Sequence, residues 1–174
     1  MPLSKREQTP LLAVDIDGVI SLFGFGGKEA HGLRSEPPRG EFHLLDGMLH
    51  CISRPAGDRL RRLSQSYELL WCSGWEDRAN DHLPRILGLP ILPYLTFDGK
   101  ARFGTAHWKL RPLKRYAGKR PLAWIDDSLD PSCYEWAERR PEPTLLIPTD
   151  AERGLEEAHV ATLEAWARDG FAPR

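Results

Sequence analysis

Two aspartates that follow an apolar segment have the residue types and the spacing for chemistry. An apolar run leads from residue 11 into Asp15 and Asp17, which are separated by one residue and precede Gly18. Such a run predicts a strand over about residues 11–16 that is buried on both faces, as in a central parallel strand. Because a buried carboxylate needs compensation, we expect both aspartates just past the strand, at the edge where open α/β sheets bind ligands. Gly18 allows a sharp turn there.

Two carboxylates held close together repel each other, and a bound divalent cation commonly compensates this repulsion. Mg²⁺ prefers hard oxygen ligands and is typically bound by one or two carboxylates and a substrate phosphate. The alternative is an ordinary Asp-Gly turn after the strand. The pair by itself leaves both interpretations open, and the rest of the chain favours the metal.

Two further predicted strands also end in small or acidic polar residues. They cover residues 67–72 and 121–125. The polar groups at the three strand ends are Asp15 and Asp17, Ser73, and Asp126 and Asp127. Because the carboxyl ends of parallel strands share one edge of a sheet, we expect these groups to converge. Phosphoryl transfer needs a nucleophile, a metal, donors for the phosphoryl oxygens and a proton shuttle, and this set can supply each role.

Strand and helix patterns alternate along the chain. Helices are predicted over residues 55–66, 76–87, 106–116, 131–140 and 154–168, and a fourth core strand over 144–147. This alternation predicts a three-layer α/β/α, Rossmann-like parallel sheet, with one domain over residues 1–174. Pro112 is expected to break or kink the helix 106–116.

Two short apolar runs flank Asp46-Gly47, which is a strong signal for a β-hairpin. The hairpin belongs to a small insertion over residues 21–53, directly after the first strand and its aspartates. A site with so small a cover is open, which suits a large or extended substrate.

The composition describes an ordinary globular protein. Of 174 residues, 41% are hydrophobic and 28% charged, and the formal net charge of −1 favours neither nucleic acid nor a membrane as partner. No apolar run approaches the roughly 20 residues that span a bilayer. The polar first ten residues lack an apolar signal-peptide core, and three widely spaced cysteines favour reduced thiols. We therefore expect a cytoplasmic protein without membrane contact.

The run Asp15-Ile16-Asp17-Gly18-Val19, after an apolar strand, resembles the first motif of the haloacid dehalogenase (HAD) superfamily. The resemblance implies that Asp15 is the nucleophile that becomes an aspartyl-phosphate, and that Asp17 is the general acid and base. Members that dehalogenate or act as transport ATPases lack the second aspartate, so its presence favours phosphatase chemistry. In this family the insertion after the first motif forms a flap or cap over the site.

The other three HAD motifs have counterparts in the same order. Ser73 and Gly74 match the second motif, whose Ser or Thr hydrogen-bonds the phosphate; a helix N-cap is the alternative role for Ser73, compatible with the first. Lys109, which lies 17 positions before Asp126, fits the third motif and would bind phosphate. Lys114 is the alternative candidate for this motif.

Asp126-Asp127 matches the fourth motif. The resemblance implies Mg²⁺ bound by Asp15, the backbone carbonyl of Asp17, and Asp126. Asp127 and Asp130 would not bind the metal directly; they would contact its ligands or reach it through water. Residues 70–80 and 122–127 further resemble a bacterial branch that includes the HAD domains of RNA-repair proteins.

Three functions follow from these observations. The first is a Mg²⁺-dependent phosphomonoester hydrolase, and the second is the same chemistry on a nucleotide or nucleic-acid end. The second rests on three features. The cap is small, and Trp75 could stack on a base, although a tryptophan more often packs in the core. Residues 99–125 form a basic run without Asp or Glu, which could attract a polyanion. The third is a non-catalytic phosphate-binding module, which would have no need for Asp17.

Overall fold

The computed structural model describes residues 9–25 and 39–171. The strands are β1 (Leu11–Val14), β2 (Ser21–Leu22), β3 (Glu41–Leu45), β4 (Met48–Ile52), β5 (Glu68–Trp71), β6 (Leu122–Asp126) and β7 (Thr144–Pro148). The α-helices are α1 (Arg54–Leu63), α2 (Arg78–Leu87), α3 (Leu110–Ala117), α4 (Pro131–Arg139) and α5 (Glu157–Arg168), and a 3₁₀ turn, His107–Lys109, precedes α3.

Four parallel strands form the central sheet in the order β5-β1-β6-β7. They are the four core strands predicted from the sequence. At the carboxyl end of β1, Val14 pairs with Trp71 on one side and with Ile125 on the other. The chain therefore moves from β1 to one neighbour and later returns to the other side, which creates the crevice where α/β sheets bind ligands.

Helices cover both faces of this sheet. Leu12 and Val14 of β1 pack in one hydrophobic cluster with residues of α1, α2 and α5, whereas Leu11 and Ala13 pack in a second cluster with residues of α3 and α4. This division follows from the two-residue period of a strand, which sends alternate side chains to opposite faces. The predicted three-layer, Rossmann-like arrangement is confirmed.

A second, three-stranded antiparallel sheet has the order β2-β4-β3. β3 and β4 pair around Asp46-Gly47, and both turn residues have positive φ, 50° and 78°. Positive φ at both central residues is the geometry of the tight turns that suit a twisted hairpin. The predicted insertion over residues 21–53 includes positions 26–38, which lie outside the described residues.

Several helix predictions need correction at their ends, and the first helix ends at Leu63 rather than residue 66. The last helix begins at Glu157 rather than residue 154, because Gly154 has a φ of 65° and Glu156 and His159 form a capping box. The helix predicted over residues 106–116 begins at Leu110, after the 3₁₀ turn. Pro112 does not break it, because the proline lies in the first turn, where its missing N–H has no helical partner.

Across residues 9–25 and 39–171, no helix combines the length and the apolar character required to span a membrane. The cysteines Cys51, Cys72 and Cys133 are buried and free.

Candidate functional site

Three charged side chains from separate elements meet at the carboxyl end of the sheet. Asp15 directly follows β1, Asp126 is the last residue of β6, and Lys109 ends the 3₁₀ turn. The Nζ atom of Lys109 lies 2.8 Å from Asp15 Oδ2 and 2.6 Å from Asp126 Oδ2. Their exposed fractions are only 5%, 0% and 3% for Asp15, Asp126 and Lys109. The ammonium group therefore compensates two buried carboxylates, as such burial requires.

The two candidate lysines differ in where the structure places them. Lys109 reaches the strand ends, whereas Lys114 is exposed on α3. The 3₁₀ turn is joined to the loop after β6, because the N–H of Ala106 donates to the backbone oxygen of Ser128 at 2.9 Å. Of the two, only Lys109 lines the cavity described below.

Carboxylate oxygens of Asp15, Asp126 and Asp127 all lie within 4.8 Å of one another and could hold a metal ion. The carboxylate of Asp17 is not part of this group among the described residues. The donor set fits a hard divalent cation, since it offers only oxygens and since three carboxylates face the single ammonium of Lys109. Asp127, expected outside the ligand set, is thus close enough to be a ligand.

Gly18 makes room for this group. Its φ is 73°, and a Cβ built on it would lie 2.4 Å from Asp127 Cγ. The N–H of Gly18 donates to the backbone oxygen of Ser21, and its own oxygen accepts from Thr149 Oγ1 at 2.9 Å. The turn predicted at Gly18 is present, and only a residue without a side chain fits there.

Asp17 is partly buried and has a partner that sequence reasoning missed. Its Oδ2 accepts a hydrogen bond from Trp75 Nε1 at 3.0 Å. Burial and the negative charge of Asp15 raise the pKa of Asp17 from its ordinary value to about 6, against the opposing effect of the Trp75 hydrogen bond. A carboxyl group with this pKa can both give and take a proton near neutral pH.

The pKa values of the neighbouring groups are shifted as well. Burial and the charge of Asp15 raise the pKa of Asp126 and of Asp127. Burial alone would lower the pKa of Lys109, but Asp15 and Asp126 raise it above its ordinary value, so the ammonium stays charged. The carboxylates are therefore only partly neutralised, and bound metal would compete with protons for them.

Ser73 is buried and, with Gly74, lines the same cavity as Asp15. Its Oγ atom makes a long contact of 3.5 Å with the N–H of Trp75. The N-cap interpretation of Ser73 is wrong, because α2 begins at Arg78 and Asp77 occupies its N-cap position.

Asp130 is the N-cap of α4. Its Oδ1 accepts from the N–H of Ser132 at 2.9 Å, and its carboxylate also bonds to the hydroxyls of Ser132 and Thr105. Among the described residues that line the cavity, Thr105 is present and Asp130 is not. Asp130 therefore supports the cavity wall through Thr105.

These groups lie at the inner end of a cavity of about 720 Å³. Its inner wall contains Asp15, Asp17, Ser73, Lys109 and Asp127. Its outer wall contains Arg78, residues 101–105 and five residues of the hairpin: Leu45, Asp46, Met48, Leu49 and His50. The cavity has room for a phosphate at the polar end and for an organic group beyond it.

Polar and aromatic contacts join the hairpin to the elements around it. Asp46 in the turn lies 3.1 Å from His82 Nε2 and 3.8 Å from Arg78 Nη1 on α2. His50 Nδ1 lies 3.0 Å from Ser21 Oγ, and the His50 ring contacts the Trp75 ring edge-on at 4.7 Å. Sequence patterns gave no signal for these contacts, since each joins residues distant along the chain.

Comparison with models of known protein families and with curated proteins found no match. The HAD resemblance therefore rests on the four motifs, and the functions that it implies are taken up as proposals.

Proposed function

We propose that this chain is a Mg²⁺-dependent phosphomonoester hydrolase that acts through an aspartyl-phosphate on Asp15. The observation that carries the proposal is the meeting of Asp15, Lys109 and Asp126 at the inner end of one cavity, beside Asp17 with a pKa of about 6. The proposed nucleophile Asp15, the cationic side chain of Lys109 and the proposed proton shuttle Asp17 thus belong to one site, as phosphoryl transfer requires.

Asp15 is held in one orientation. Its Oδ1 accepts from the N–H of Ile16 at 2.8 Å, and its Oδ2 faces Lys109. In the first half-reaction a carboxylate oxygen of Asp15 attacks phosphorus. The bond from phosphorus to the leaving oxygen breaks, and Asp17 gives its proton to that oxygen, so an alcohol departs.

In the second half-reaction Asp17, now a carboxylate, takes a proton from water as that water attacks the phosphorus. The bond between phosphorus and Asp15 breaks, and inorganic phosphate leaves. Asp15 returns as a carboxylate and Asp17 returns protonated, which balances the cycle.

The remaining residues bind and orient. Lys109 and Ser73 would donate to phosphoryl oxygens, with Gly74 beside them. Asp15, Asp126 and Asp127 would hold the metal, together with the Asp17 carbonyl that the HAD resemblance implies. Mg²⁺ bound there would neutralise charge on the phosphoryl oxygens. The hairpin would serve as the small flap over the cavity.

The test is phosphate release from a panel of phosphomonoesters with Mg²⁺. Asp15→Asn should lower kcat by about 10³-fold or more, since it removes the nucleophile. Asp58→Asn is the matched control, because Asp58 is exposed on α1 and contacts only Arg61 among the polar partners described. After acid quench of a reaction with ³²P-labelled substrate, label should remain on the wild-type protein and be absent from Asp15→Asn. Turnover by Asp15→Asn at the wild-type rate would refute the proposal.

A second candidate is the same reaction on a nucleotide or nucleic-acid end. It is favoured by the outer wall, where the exposed Arg78, Arg102 and Phe103 surround the mouth of the cavity. Cationic and aromatic side chains together suit a phosphate-bearing base. Oligonucleotides with a terminal phosphate should then be better substrates than sugar phosphates, and equal activity on both would count against this candidate. Phosphate binding without turnover on any substrate would instead identify a binding module.

A further inference from the structure

We infer that Trp75 is a positioning residue that holds the carboxyl group of Asp17 in its working orientation, with His50 of the hairpin supporting the indole. This inference rests on the proposed function. Its central observation is the hydrogen bond from Trp75 Nε1 to Asp17 Oδ2 at 3.0 Å. The Trp75 side chain is only 8% exposed, so the indole is held by protein contacts and not by solvent.

The turn that carries Trp75 is fixed from one side by a strained residue. Glu76 has a φ of 51°, which is uncommon for a residue other than glycine. Its side chain accepts a hydrogen bond from the N–H of Phe97 at 2.8 Å. This long-range contact compensates the strained backbone and keeps the preceding residue, Trp75, directed towards Asp17.

His50 holds the indole from the other side. Its ring meets that of Trp75 edge-on, with centroids 4.7 Å apart, and its Nδ1 lies 3.0 Å from Ser21 Oγ. Ser21 in turn is joined to Asp17 by an isolated backbone β-bridge. The indole therefore cannot rotate without breaking its hydrogen bond to Asp17 and its contact with His50.

The indole N–H suits this role because it only donates and does not titrate at ordinary pH. With Oδ2 of Asp17 accepting from Trp75, the proton for the leaving group travels on Oδ1. Trp75 transfers no proton itself. Without the hydrogen bond the carboxyl group could adopt other rotamers, and fewer encounters would have the acid in place.

The test uses two substrates that differ in their need for an acid. An alkyl phosphate releases a strongly basic alkoxide unless its oxygen is protonated, whereas p-nitrophenyl phosphate releases a stable anion. We expect Trp75→Phe to lower kcat/KM for the alkyl phosphate about 10- to 100-fold, part of the general-acid contribution. For p-nitrophenyl phosphate the decrease should stay within about 3-fold, because that step does not depend on the acid.

The matched control is Trp108→Phe. Trp108 lines the same cavity, but its Nε1 donates to the backbone oxygens of Arg102 and Thr105. This variant should affect both substrates alike. In an Asp17→Asn background, Trp75→Phe should not lower kcat/KM for the alkyl phosphate any further, because the carboxylic acid that Trp75 orients is already absent.

His50→Ala provides a second, independent variant in case Trp75→Phe does not fold. It should show the same preference for p-nitrophenyl phosphate to a smaller degree, because the N–H donor is still present. Equal decreases on both substrates, or a full additional decrease in the Asp17→Asn background, would overturn the inference. A wild-type protein that hydrolyses neither substrate would instead refute the proposed function, and the inference with it.

Discussion

The inner and outer walls of the cavity are built in opposite ways. On the inner wall Asp15, Lys109 and the adjoining Asp126 are buried at the ends of a parallel sheet, and each charge has a partner of opposite sign. On the outer wall the hairpin residue Leu49 is 63% exposed, and Phe103 is fully exposed. The inner wall is fixed by its charges and by the sheet, and the outer wall is held by a few surface contacts.

Under the proposed function, this difference assigns the reaction to the inner wall and the recognition of the substrate's organic group to the outer wall. Reacting groups need a fixed geometry, and buried strand ends provide it. Exposed apolar side chains at the mouth of a cavity are available to contact whatever the phosphate is attached to. Substitutions on the inner wall should therefore affect stability, metal binding and turnover together, whereas substitutions of the exposed apolar side chains on the outer wall should affect substrate binding alone.

The largest effect on stability is expected for Lys109→Met. Removal of the ammonium leaves two buried carboxylates without their counter-charge, which should destabilise the metal-free protein by about 3–5 kcal/mol. Chemical denaturation in EDTA near pH 8 measures this, and Mg²⁺ should restore part of the loss. The control is Lys114→Met on the exposed face of α3, with an expected change within about 0.5 kcal/mol. Equal stability of the two variants would show that the buried ion pairs do not hold the inner wall.

The inner wall could be predicted from the sequence because its signal is local. An apolar run that ends in Asp15 and Asp17, or in Asp126 and Asp127, specifies both a buried strand and the polar groups at its end. Because the carboxyl ends of parallel strands share one edge of a sheet, these groups are then expected to converge. Lys109 was assigned from its place in the HAD series, and the structure places it against Asp15.

The contacts of Trp75 and of the hairpin could not be predicted because they are long-range. Trp75 is directed at Asp17 by a turn whose strained residue, Glu76, depends on Phe97. Nothing within residues 73–77 specifies that arrangement, and a helix cap at Ser73 was an equally good local solution. The same holds for the contact between Asp46 and His82, which joins the hairpin turn to α2.

Gly18→Ala on the inner wall and Gly47→Ala on the outer wall compare the two walls at positions of similar backbone geometry. Alanine at a φ of 73° costs about 1–2 kcal/mol, and its Cβ would also displace Asp127 from the metal group. We expect Mg²⁺ affinity to fall about 10- to 100-fold, the usual effect of disturbing a ligand's surroundings. Isothermal titration calorimetry measures the affinity.

Gly47→Ala is the control on the outer wall. Gly47 has a φ of 78°, but no atom lies within 4 Å of a Cβ built there. This variant should therefore show the backbone cost without a change in Mg²⁺ affinity. A similar loss of affinity in both variants would mean that Gly18 acts through the backbone and that Asp127 is no ligand.

The dependence of stability on pH provides a third test of the inner wall. The pKa of Asp17 is raised to about 6 in the folded protein, so its contribution to stability is complete below its unfolded value of 3.8 and is lost as the pH rises through about 6. Mg²⁺ needs deprotonated ligands, and the pKa values of Asp126 and Asp127 are raised in the same direction. The difference in Tm between samples with Mg²⁺ and with EDTA should thus grow from pH 5 to pH 7.5. A constant difference would argue that the metal binds elsewhere.

The smallest effects are expected on the outer wall, where Leu49→Ser and Leu44→Ser form a matched pair. These leucines lie opposite each other on β4 and β3 and are 63% and 72% exposed, but only Leu49 lines the cavity among the residues described. Each substitution should change the free energy of unfolding by no more than about 0.5 kcal/mol. Leu49→Ser should raise KM about 2- to 5-fold with kcat unchanged, because a substrate that covers part of this side chain loses about 1 kcal/mol of apolar contact. Leu44→Ser should leave KM as it is; if both variants raise KM equally, the substrate lies across the outside of the hairpin, and the cavity between the two walls is not where its organic part binds.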